Sequence, residues 1–234
     1  MYSDWMPPPA HLLTNVQYCQ ITSAGTDKWK GHPTYENSEF VFCNASGVHP
    51  DQISEGHWDT RHRAMLDSVG LRMGILGYGS IGRQCARLAQ ALGMEMYAYT
   101  RTERATPESR KDTGYCVPGT DDSDGQIPSR WFCGAVRDDI DHFLGHDLDM
   151  LVISLPLTES THNLISYKQF AIFSKKKTFV SNTARGPYVD KQALITALET
   201  GQIRAAALDV TDPEPLPQDH ALWKAPNLFI SPHE

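Results

Sequence analysis

The sequence contains no hydrophobic run long enough to cross a bilayer and no paired cysteine motif. A membrane-spanning helix needs roughly 20 consecutive apolar residues, so we expect no membrane partner. The five cysteines are scattered and odd in number, which is typical of reduced thiols in a reducing compartment. Residues 1–10 hold Asp4 and three prolines where a secretory signal would carry basic and then apolar residues. We therefore expect a cytoplasmic protein.

Basic charge is also scarce. Lys and Arg number 21 against 28 Asp and Glu, a formal net charge of -7, which disfavours nucleic acid as the main partner. The sequence has neither a GxSxG turn nor a cysteine–histidine pattern, so nothing in it indicates covalent catalysis. His142 and His146 have a spacing that can bind metal, but the glutamate of a zinc-protease motif is missing. We expect a solvated helix face there and no metal.

The chain does contain an alternation of β-type runs and helical patterns, which is typical of a parallel sheet covered by helices. The predicted strands are Arg72–Leu76, Met94–Thr100, Asp149–Leu155, Lys177–Asn182, Ile203–Val210 and Leu228–Ser231. The predicted helices are Ile81–Leu92, Asp138–Leu144, Ser166–Phe173 and Asp190–Thr200. Six strands with helices between them predict an α/β fold with a doubly wound parallel (Rossmann) sheet.

Two segments do not follow this alternation. Residues 101–137 are long and polar, with an acidic patch at Asp121, Asp122 and Asp124. We expect a surface excursion with little regular structure, apart from one short strand near Trp131–Val136. Residues 1–58 carry two β-type runs, at 16–22 and 40–44, and predict part of another domain. The expected domains are therefore residues 1–57 and 58–234.

The strongest single motif is a glycine-rich GxGxxG turn. Its residues are Gly77, Tyr78, Gly79, Ser80, Ile81 and Gly82. The turn follows an apolar strand and opens a predicted helix, which is the context that a dinucleotide-binding fingerprint requires. Gly77 would permit the tight turn, Gly79 would let the backbone approach a pyrophosphate, and Gly82 would allow close helix–strand packing. Free N–H groups at the helix N-terminus favour phosphate binding.

The end of the next predicted strand bears on which dinucleotide is bound. NAD-binding domains usually place an acid there to accept hydrogen bonds from the ribose hydroxyls, whereas this chain has Thr100, Arg101 and Thr102. A carboxylate would repel a 2′-phosphate, while an arginine and two hydroxyls would bind it. The charge pattern predicts NADP in preference to NAD. NAD stays open, because Arg101 could simply begin a solvated loop.

Several strings together resemble the D-isomer-specific 2-hydroxyacid dehydrogenases, particularly their glyoxylate/hydroxypyruvate reductase-like branch. Besides the glycine-rich turn, these are SLPLTESTHNLI (154–165), SNTARGPYVD (181–190), ALDVTDPEPLP (207–217) and PNLFISPH (226–233). They occur in the family's order. Weaker matches are SAGTD (23–27) and NASGVHPDQISE (44–55). The resemblance implies an oxidoreductase that transfers a hydride between NAD(P)H and a small 2-oxo or 2-hydroxy acid.

The resemblance also implies roles for individual residues. Arg185 would bind the carboxylate and carbonyl oxygen of a 2-oxo acid, His233 would be the proton donor and acceptor, and Glu214 would orient its imidazole. Asp209 would hold the nicotinamide carboxamide. The cofactor would also be lined by Leu155, Pro156, Thr183 and Ala184, and the substrate carboxylate would meet Ala24 and Gly25.

The sequence also departs from the family. The family's flavodoxin-like substrate domain would be present only as a remnant, with the chain truncated at both ends. Glu55 runs almost directly into the turn at Gly56–Trp58, where the family has a long helix that bridges the domains and helps to form a homodimer. A gene-model error or an unusual splice would both produce this junction. The alternative to an active reductase is therefore an impaired dinucleotide-binding module or a corepressor-like partner-binding protein.

Overall fold

The computed structural model describes residues 68–114 and 116–233, together with Pro33 and the backbone of two short strands, β1 (Tyr18–Gln20) and β2 (Val41–Cys43). The chain divides into two compact units, Met1–Leu66 and Asp67–Glu234. In the first unit, β1 and β2 pair in parallel, with Cys19 opposite Phe42. Both strands fall within the β-type runs predicted for this region. The predicted domain boundary at residues 57 and 58 lies outside the described residues.

The second unit is built from parallel strands that alternate with helices. The strands are β3 (Arg72–Leu76), β4 (Glu95–Thr100), β5 (Arg130–Cys133), β6 (Met150–Ile153), β7 (Phe179–Asn182), β8 (Ala205–Leu208) and β9 (Leu228–Ile230). The helices are α1 (Ser80–Ala91), α2 (Pro107–Arg110), α3 (Arg137–Leu144), α4 (Tyr167–Phe173) and α5 (Lys191–Glu199). Short 3₁₀ turns occur at Glu159–Thr161, Gly186–Tyr188 and Ala221–Lys224.

The sheet has the order β5-β4-β3-β6-β7-β8-β9, and every neighbouring pair is parallel. The chain starts in the middle at β3, moves outward to β5, and returns to β6 beside β3 before moving outward again to β9. The strand order therefore reverses between β3 and β6. In such sheets, ligands bind outside the carboxyl ends of the strands at this reversal. The predicted doubly wound sheet is confirmed.

The core lies on both faces of the sheet. In β3, Ile75 packs into one buried cluster and Leu76 into the other, and both are fully buried. The same alternation places Ala98 in the first cluster and Tyr99 in the second. Successive strand residues point to opposite faces, so a strand covered on both sides must be apolar throughout. This is why the strands were recognisable as continuous apolar runs.

The sheet has seven strands. They are the six predicted strands and the short strand expected near Trp131–Val136, which forms at Arg130–Cys133 and joins the sheet beside β4. The structure differs from the prediction within the 101–137 segment. The acidic patch is not a surface feature as a whole, since Asp121 and Asp122 are buried and only Asp124 is exposed. The segment folds back onto the start of α1, where Asp122 accepts a hydrogen bond from Tyr78.

Of the predicted helices, α5 shows most clearly why the segment folds as it does. Asp190 caps its N-terminus by accepting hydrogen bonds from the N–H groups of Gln192 and Ala193, as an N-cap carboxylate does. Gly201, with φ at +66°, lies just beyond the C-terminus, where the left-handed conformation favours glycine. Among the described residues, no helix is long and apolar enough to cross a membrane.

Candidate cofactor and active site

The glycine-rich turn connects β3 to α1 at the point where the strand order reverses. Gly77 has φ at +102°, and a Cβ there would lie 2.8 Å from the carbonyl oxygen of Ser154 on the neighbouring chain segment. A Cβ on Gly82 would lie 2.3 Å from the carbonyl oxygen of Gly77. Both glycines are therefore required by the packing of the turn itself. Neither says anything about a ligand.

Gly79 is different, because the protein does not need a glycine at this position. Its backbone is extended, at φ −89° and ψ −166°, and a Cβ would meet no heavy atom within 4 Å. The residue is exposed, and it immediately precedes the first turn of α1. A glycine that packing does not demand leaves room for a ligand to approach the backbone closely, which is the role of the second glycine in dinucleotide-binding turns.

The N-terminus of α1 is suited to phosphate. The first N–H groups of a helix have no acceptor within the helix. Gly79 offers no capping side chain, and the first turn carries no acidic residue. The partial positive charge at this end of the helix therefore faces open space. Ser154 supports the turn from β6 by donating a hydrogen bond from Oγ to the Gly77 carbonyl at 2.6 Å. The sequence prediction had not singled out this serine.

The end of β4 presents the residues predicted to select the dinucleotide. Thr100 donates a hydrogen bond from Oγ1 to the carbonyl oxygen of Thr102 at 2.8 Å, which closes a short turn around Arg101. The Arg101 side chain is exposed. Within the part of the chain that the structure describes, its guanidinium has no hydrogen-bond or ion-pair partner. It is available to an anionic ligand at the carboxyl edge of the sheet.

Arg185, Glu214 and His233 follow three adjacent strands, β7, β8 and β9, at the same edge. Nδ1 of His233 lies 3.0 Å from Oε1 of Glu214. Because a carboxylate has no proton to donate, Nδ1 carries the hydrogen and donates it. The two side chains remain 41% and 39% exposed, so Nε2 of the imidazole is left for another partner.

Arg185 is positioned by a buried asparagine that the sequence prediction had missed. Asn182, at the end of β7, is fully buried. It donates from Nδ2 to the Arg185 carbonyl at 2.8 Å and accepts from the Ala184 N–H at 3.1 Å. This pair of hydrogen bonds fixes the turn that carries Arg185. The Arg185 side chain is exposed and donates from Nη1 to the Ala184 carbonyl at 2.6 Å.

Asp209, predicted to hold the nicotinamide carboxamide, lies just after β8. Its Oδ1 accepts a hydrogen bond from Oγ of Ser231 at 2.6 Å, and Ser231 follows β9. This bond links the loops that carry Glu214 and His233, both of which leave the sheet nearby. The only sequence signal for Ser231 is its position directly after the β-type run Leu228–Ile230.

The remaining predicted cofactor residues follow β6 and β7 at the carboxyl edge of the sheet. Leu155 lies close to the turn, since its Cδ2 would be 3.0 Å from a Cβ on Gly77. Pro156 is exposed. Thr183 donates from Oγ1 to the Ile153 carbonyl at 3.2 Å, which ties β7 to β6. Ala24 and Gly25, predicted to receive the substrate carboxylate, lie outside the described residues.

The other titratable groups around the turn behave as structural groups. Burial and the neighbouring Asp122 raise the pKa of the Tyr78 phenol, so Tyr78 remains a hydrogen-bond donor at neutral pH. Burial raises the pKa of the Cys85 thiol on α1, which makes it a poor nucleophile. Among the described residues, no group of three or more metal-ligating side chains is found. His142 and His146 instead pack ring against ring, with centroids 4.8 Å apart.

The donor set and the shape of this edge fit a dinucleotide. Gly79, which packing does not require, leaves room for a ligand to approach the backbone. The uncapped N-terminus of α1 provides N–H donors for a pyrophosphate. Arg101 provides a cation for the ribose end of the ligand. No other part of the described chain combines these features.

Comparisons with known proteins agree with this geometry. Residues 42–121 and 129–234 match the model of a family described as "D-isomer specific 2-hydroxyacid dehydrogenase, NAD binding domain". Glyoxylate/hydroxypyruvate reductase B of Enterobacter agglomerans is 39% identical over 189 residues, which are 78% of this chain and 50% of that protein. Hydroxypyruvate reductase of Blautia hydrogenotrophica is 29% identical over 263 residues, covering 100% of this chain and 74% of that protein.

A solved structure is similar as well. The D-isomer specific 2-hydroxyacid dehydrogenase of Xanthobacter autotrophicus Py2, in complex with NADPH and MES, is 29% identical with a TM-score of 0.62, over 80% of this chain and 66% of that one. The chain thus belongs to the D-isomer-specific 2-hydroxyacid dehydrogenase family, and its NAD-binding domain is the part that the match covers. It spans about half the length of the reductase B relatives.

Proposed function

We propose that the protein is an NAD(P)-dependent oxidoreductase that interconverts a small 2-oxo acid and the corresponding 2-hydroxy acid. The observation that carries this proposal is the pair formed by Glu214 and His233, with Nδ1 of the imidazole 3.0 Å from the carboxylate. The pair lies at the edge of the sheet that also carries the glycine-rich turn, and Arg185 follows the neighbouring strand β7. A proton donor, a cation and a dinucleotide site at one edge form the set that reduction of a 2-oxo acid requires.

In this proposal each side chain has a definite task. When bound, a reduced nicotinamide supplies the hydride that is added to the carbonyl carbon. Arg185 binds the substrate carboxylate and carbonyl oxygen through its planar, permanently charged guanidinium. Nε2 of His233 donates a proton to the carbonyl oxygen as negative charge develops there, and takes it back in the reverse reaction. Glu214 orients the ring by accepting from Nδ1 and stabilises its positive charge.

The proposed substrates are glyoxylate and hydroxypyruvate. Support comes from the printed names of the relatives in Enterobacter and Blautia and from the short SNTARG and PNLFISPH strings that surround Arg185 and His233. A small 2-oxo acid has only its carboxylate and carbonyl to be recognised, and a single arginine can bind both. Ala24 and Gly25 remain proposed substrate residues on the resemblance to the family alone.

We propose NADP as the preferred cofactor. Arg101 has no partner within the described residues, and the end of β4 lacks the acid that would hydrogen-bond the ribose hydroxyls of NAD. The structure of the Xanthobacter relative was determined with NADPH, which agrees with this preference. The Thr100 hydroxyl donates to the Thr102 carbonyl, and this bond closes the turn that carries the arginine.

One feature of the sequence favours a second candidate, a dinucleotide-binding module with little turnover. Glu55 is followed almost directly by the Gly56–Trp58 turn, where members of the family carry a long helix that bridges the domains and takes part in dimerisation. Without it, we propose that the substrate is held too loosely for efficient hydride transfer, since a misplacement of about 1 Å can cost about 100-fold in rate. In this second candidate the protein would bind a dinucleotide, or a partner in the manner of corepressor-like relatives, without efficient turnover.

A reductase assay separates the two candidates. The purified chain is tested with glyoxylate and with hydroxypyruvate, each with NADPH and NADH, and dinucleotide binding is measured in parallel by calorimetry. A second form, with a family-type helix inserted between Glu55 and Gly56, is assayed beside it. Turnover by the chain itself supports the reductase, and turnover only by the form with the inserted helix supports the binding module. If neither form binds a dinucleotide, both proposals are wrong.

A further inference from the structure

The loop between β4 and β5 is anchored to the glycine-rich turn by a buried carboxylate. Asp122 is 8% exposed. Its Oδ2 accepts a 2.7 Å hydrogen bond from the Tyr78 hydroxyl and a 3.1 Å bond from the N–H of Ile127. Its Oδ1 accepts from the N–H of Gln126 at 3.0 Å. Tyr78 is the second residue of the GxGxxG turn, so this contact joins the loop directly to the proposed phosphate site.

A buried arginine of α1 extends the anchor along the loop. Arg83 is 2% exposed and lies over the Tyr78 ring, with 4.9 Å from its Cζ to the ring centroid. It donates from Nη1 to the Asp122 carbonyl and from Nη2 to the Arg110 carbonyl at 2.7 Å. Its Nε lies 3.5 Å from Oδ2 of Asp112. A buried cation with these partners fixes the loop in one position relative to the helix.

The same network reaches the residues at the end of β4. Arg110 donates from Nε to the Arg104 carbonyl at 2.9 Å, and the Arg104 side chain donates to the Ser109 carbonyl. Arg104 follows Arg101 by three residues. Arg101 is therefore held between two fixed points, the turn closed by Thr100 and the anchored Arg104.

The glycine-rich turn has supports of its own. The Gly77 N–H donates to the Tyr99 carbonyl at 3.1 Å, and the Gly77 carbonyl accepts from Ser154. These bonds do not pass through the loop. Loosening the loop should therefore leave the phosphate site largely in place while freeing the segment that carries Arg101.

We propose that Asp122 and Tyr78 are positioning residues for cofactor selection, which hold the 101–127 loop so that Arg101 discriminates NADP from NAD. The inference rests on the proposed dinucleotide function. An arginine whose backbone is already fixed loses less conformational freedom when it binds a 2′-phosphate than one in a loose segment does. NADH carries no 2′-phosphate, so its affinity should depend little on this anchor.

Two substitutions test the anchor. Asp122→Asn replaces one of the two acceptor oxygens by an NH₂ group. At least one of the three groups that now donate to Asp122 would then face another donor and lose its hydrogen bond. Tyr78→Phe keeps the aromatic ring beneath Arg83 and removes only the hydroxyl. The exposed Asp124 lies in the same loop and has no partner among the described residues. Asp124→Asn is therefore a control that makes the same change of charge.

The experiment measures the dissociation constants of NADPH and NADH for the full chain by calorimetry, together with its melting temperature. In Asp122→Asn and in Tyr78→Phe, we expect the preference for NADPH over NADH to fall by about fivefold or more. NADH affinity should fall less than NADPH affinity in both variants, because the turn has supports of its own and NADH has no 2′-phosphate. The double variant should lose no more preference than the larger single effect, since both substitutions act on the same contact between Tyr78 and Asp122. Asp124→Asn should keep the full preference.

Other results would overturn the inference in distinguishable ways. If the melting temperature falls while the preference stays the same, Asp122 and Tyr78 only stabilise the fold. If NADPH and NADH are weakened equally, they act on the glycine-rich turn rather than on Arg101. If the unmodified chain binds neither dinucleotide, the proposed function fails first and the inference fails with it. Should Asp122→Asn not fold, Tyr78→Phe alone decides between these results.

Discussion

Nδ1 of His233 lies 3.0 Å from Oε1 of Glu214, although 19 positions separate the two residues in the sequence. Both side chains are more than a third exposed, and ion pairs at that exposure contribute little to folding stability. Their meeting at the carboxyl edge of the sheet therefore adds little stability, and it supports the proposed role of the pair in proton transfer. The geometry leaves Nε2 of the imidazole as the atom that can exchange a proton with a substrate.

His233→Ala should lower kcat by about 10²–10⁴-fold, because the proposed proton donor to the carbonyl oxygen would be lost. Dinucleotide affinity should change little, since the phosphate site lies at the other side of the strand reversal. The variant is assayed in whichever form of the chain turns over. His142→Ala, at an exposed histidine of α3, is the control and should keep full turnover. Unchanged kcat in His233→Ala would mean that another group donates the proton.

Arg101→Ala should weaken NADPH binding by about 1.5–3 kcal/mol, the usual loss for a hydrogen bond to a charged group. NADH binding should be almost unaffected, because the proposed contact is to a 2′-phosphate, which NADH lacks. Calorimetry with both cofactors measures the difference. Lys111→Ala removes the same charge from an exposed position in the same loop and serves as the control. Equal losses for the two cofactors would count against NADP selection by Arg101.

The sheet could be predicted from the sequence largely because its strands are buried on both faces. β3 and β6 are nearly continuous apolar runs, and such runs are recognisable without knowledge of their neighbours. β5 could be placed only approximately. Its burial is partial, with Arg130 and Cys133 exposed, because it is an edge strand. A half-exposed strand carries a weaker apolar pattern.

The loop anchor could not be predicted, because its partners are distant in sequence. Asp122 lies 44 residues from Tyr78 and 39 from Arg83, and an Asp pair followed by Ser, Asp and Gly is typical of a solvated turn. The meeting of Glu214 and His233 was likewise expected only from the resemblance to a family. No local periodicity links two loop residues that follow different strands. Sequence patterns identify elements, whereas sites depend on which elements become neighbours.

Tyr99→Phe should stabilise the protein at pH 7 by up to about 1 kcal/mol, because the substitution removes a buried polar group without a partner. Tyr99 is 2% exposed, and its hydroxyl has no hydrogen-bond partner within the described structure. Burial, together with the charge of Asp139, raises the pKa of Tyr99 from 10.0 to about 12. Urea unfolding of both proteins at pH 7 gives the difference.

The pH dependence of the same variant has a definite sign. Because the folded-state pKa of Tyr99 is raised, its contribution to stability is fully present below pH 10 and is lost as pH rises from 10 to about 12. Tyr99→Phe should lose less stability over this range than the unmodified protein does. Tyr167→Phe, at an exposed tyrosine, should leave stability at pH 7 unchanged. A clear loss of stability in Tyr99→Phe at pH 7 would show that the hydroxyl has a partner.

Two glycines of the turn, Gly82 and Gly79, should separate folding from ligand binding. Gly82→Ala should destabilise the protein by about 1–3 kcal/mol or more, because its Cβ would lie 2.3 Å from a backbone oxygen. Gly79→Ala should leave stability unchanged or raise it by about 0.4–1 kcal/mol, since its φ and ψ suit alanine and its Cβ would meet nothing. Thermal unfolding without cofactor measures both effects.

Gly79→Ala should nevertheless weaken dinucleotide binding by about tenfold or more, as expected when one hydrogen bond to a charged group is lost. The added methyl group would stand where a pyrophosphate must approach the backbone N–H groups of α1. Gly145→Ala is the matched control, because its Cβ would make only ordinary contacts, at 3.4 Å from two carbonyl oxygens, at the other end of a different helix. A Gly79→Ala protein that binds NADPH and NADH as tightly as the unmodified chain would place the phosphates elsewhere. Unaltered stability with lost binding would assign the open space beside Gly79 to the ligand.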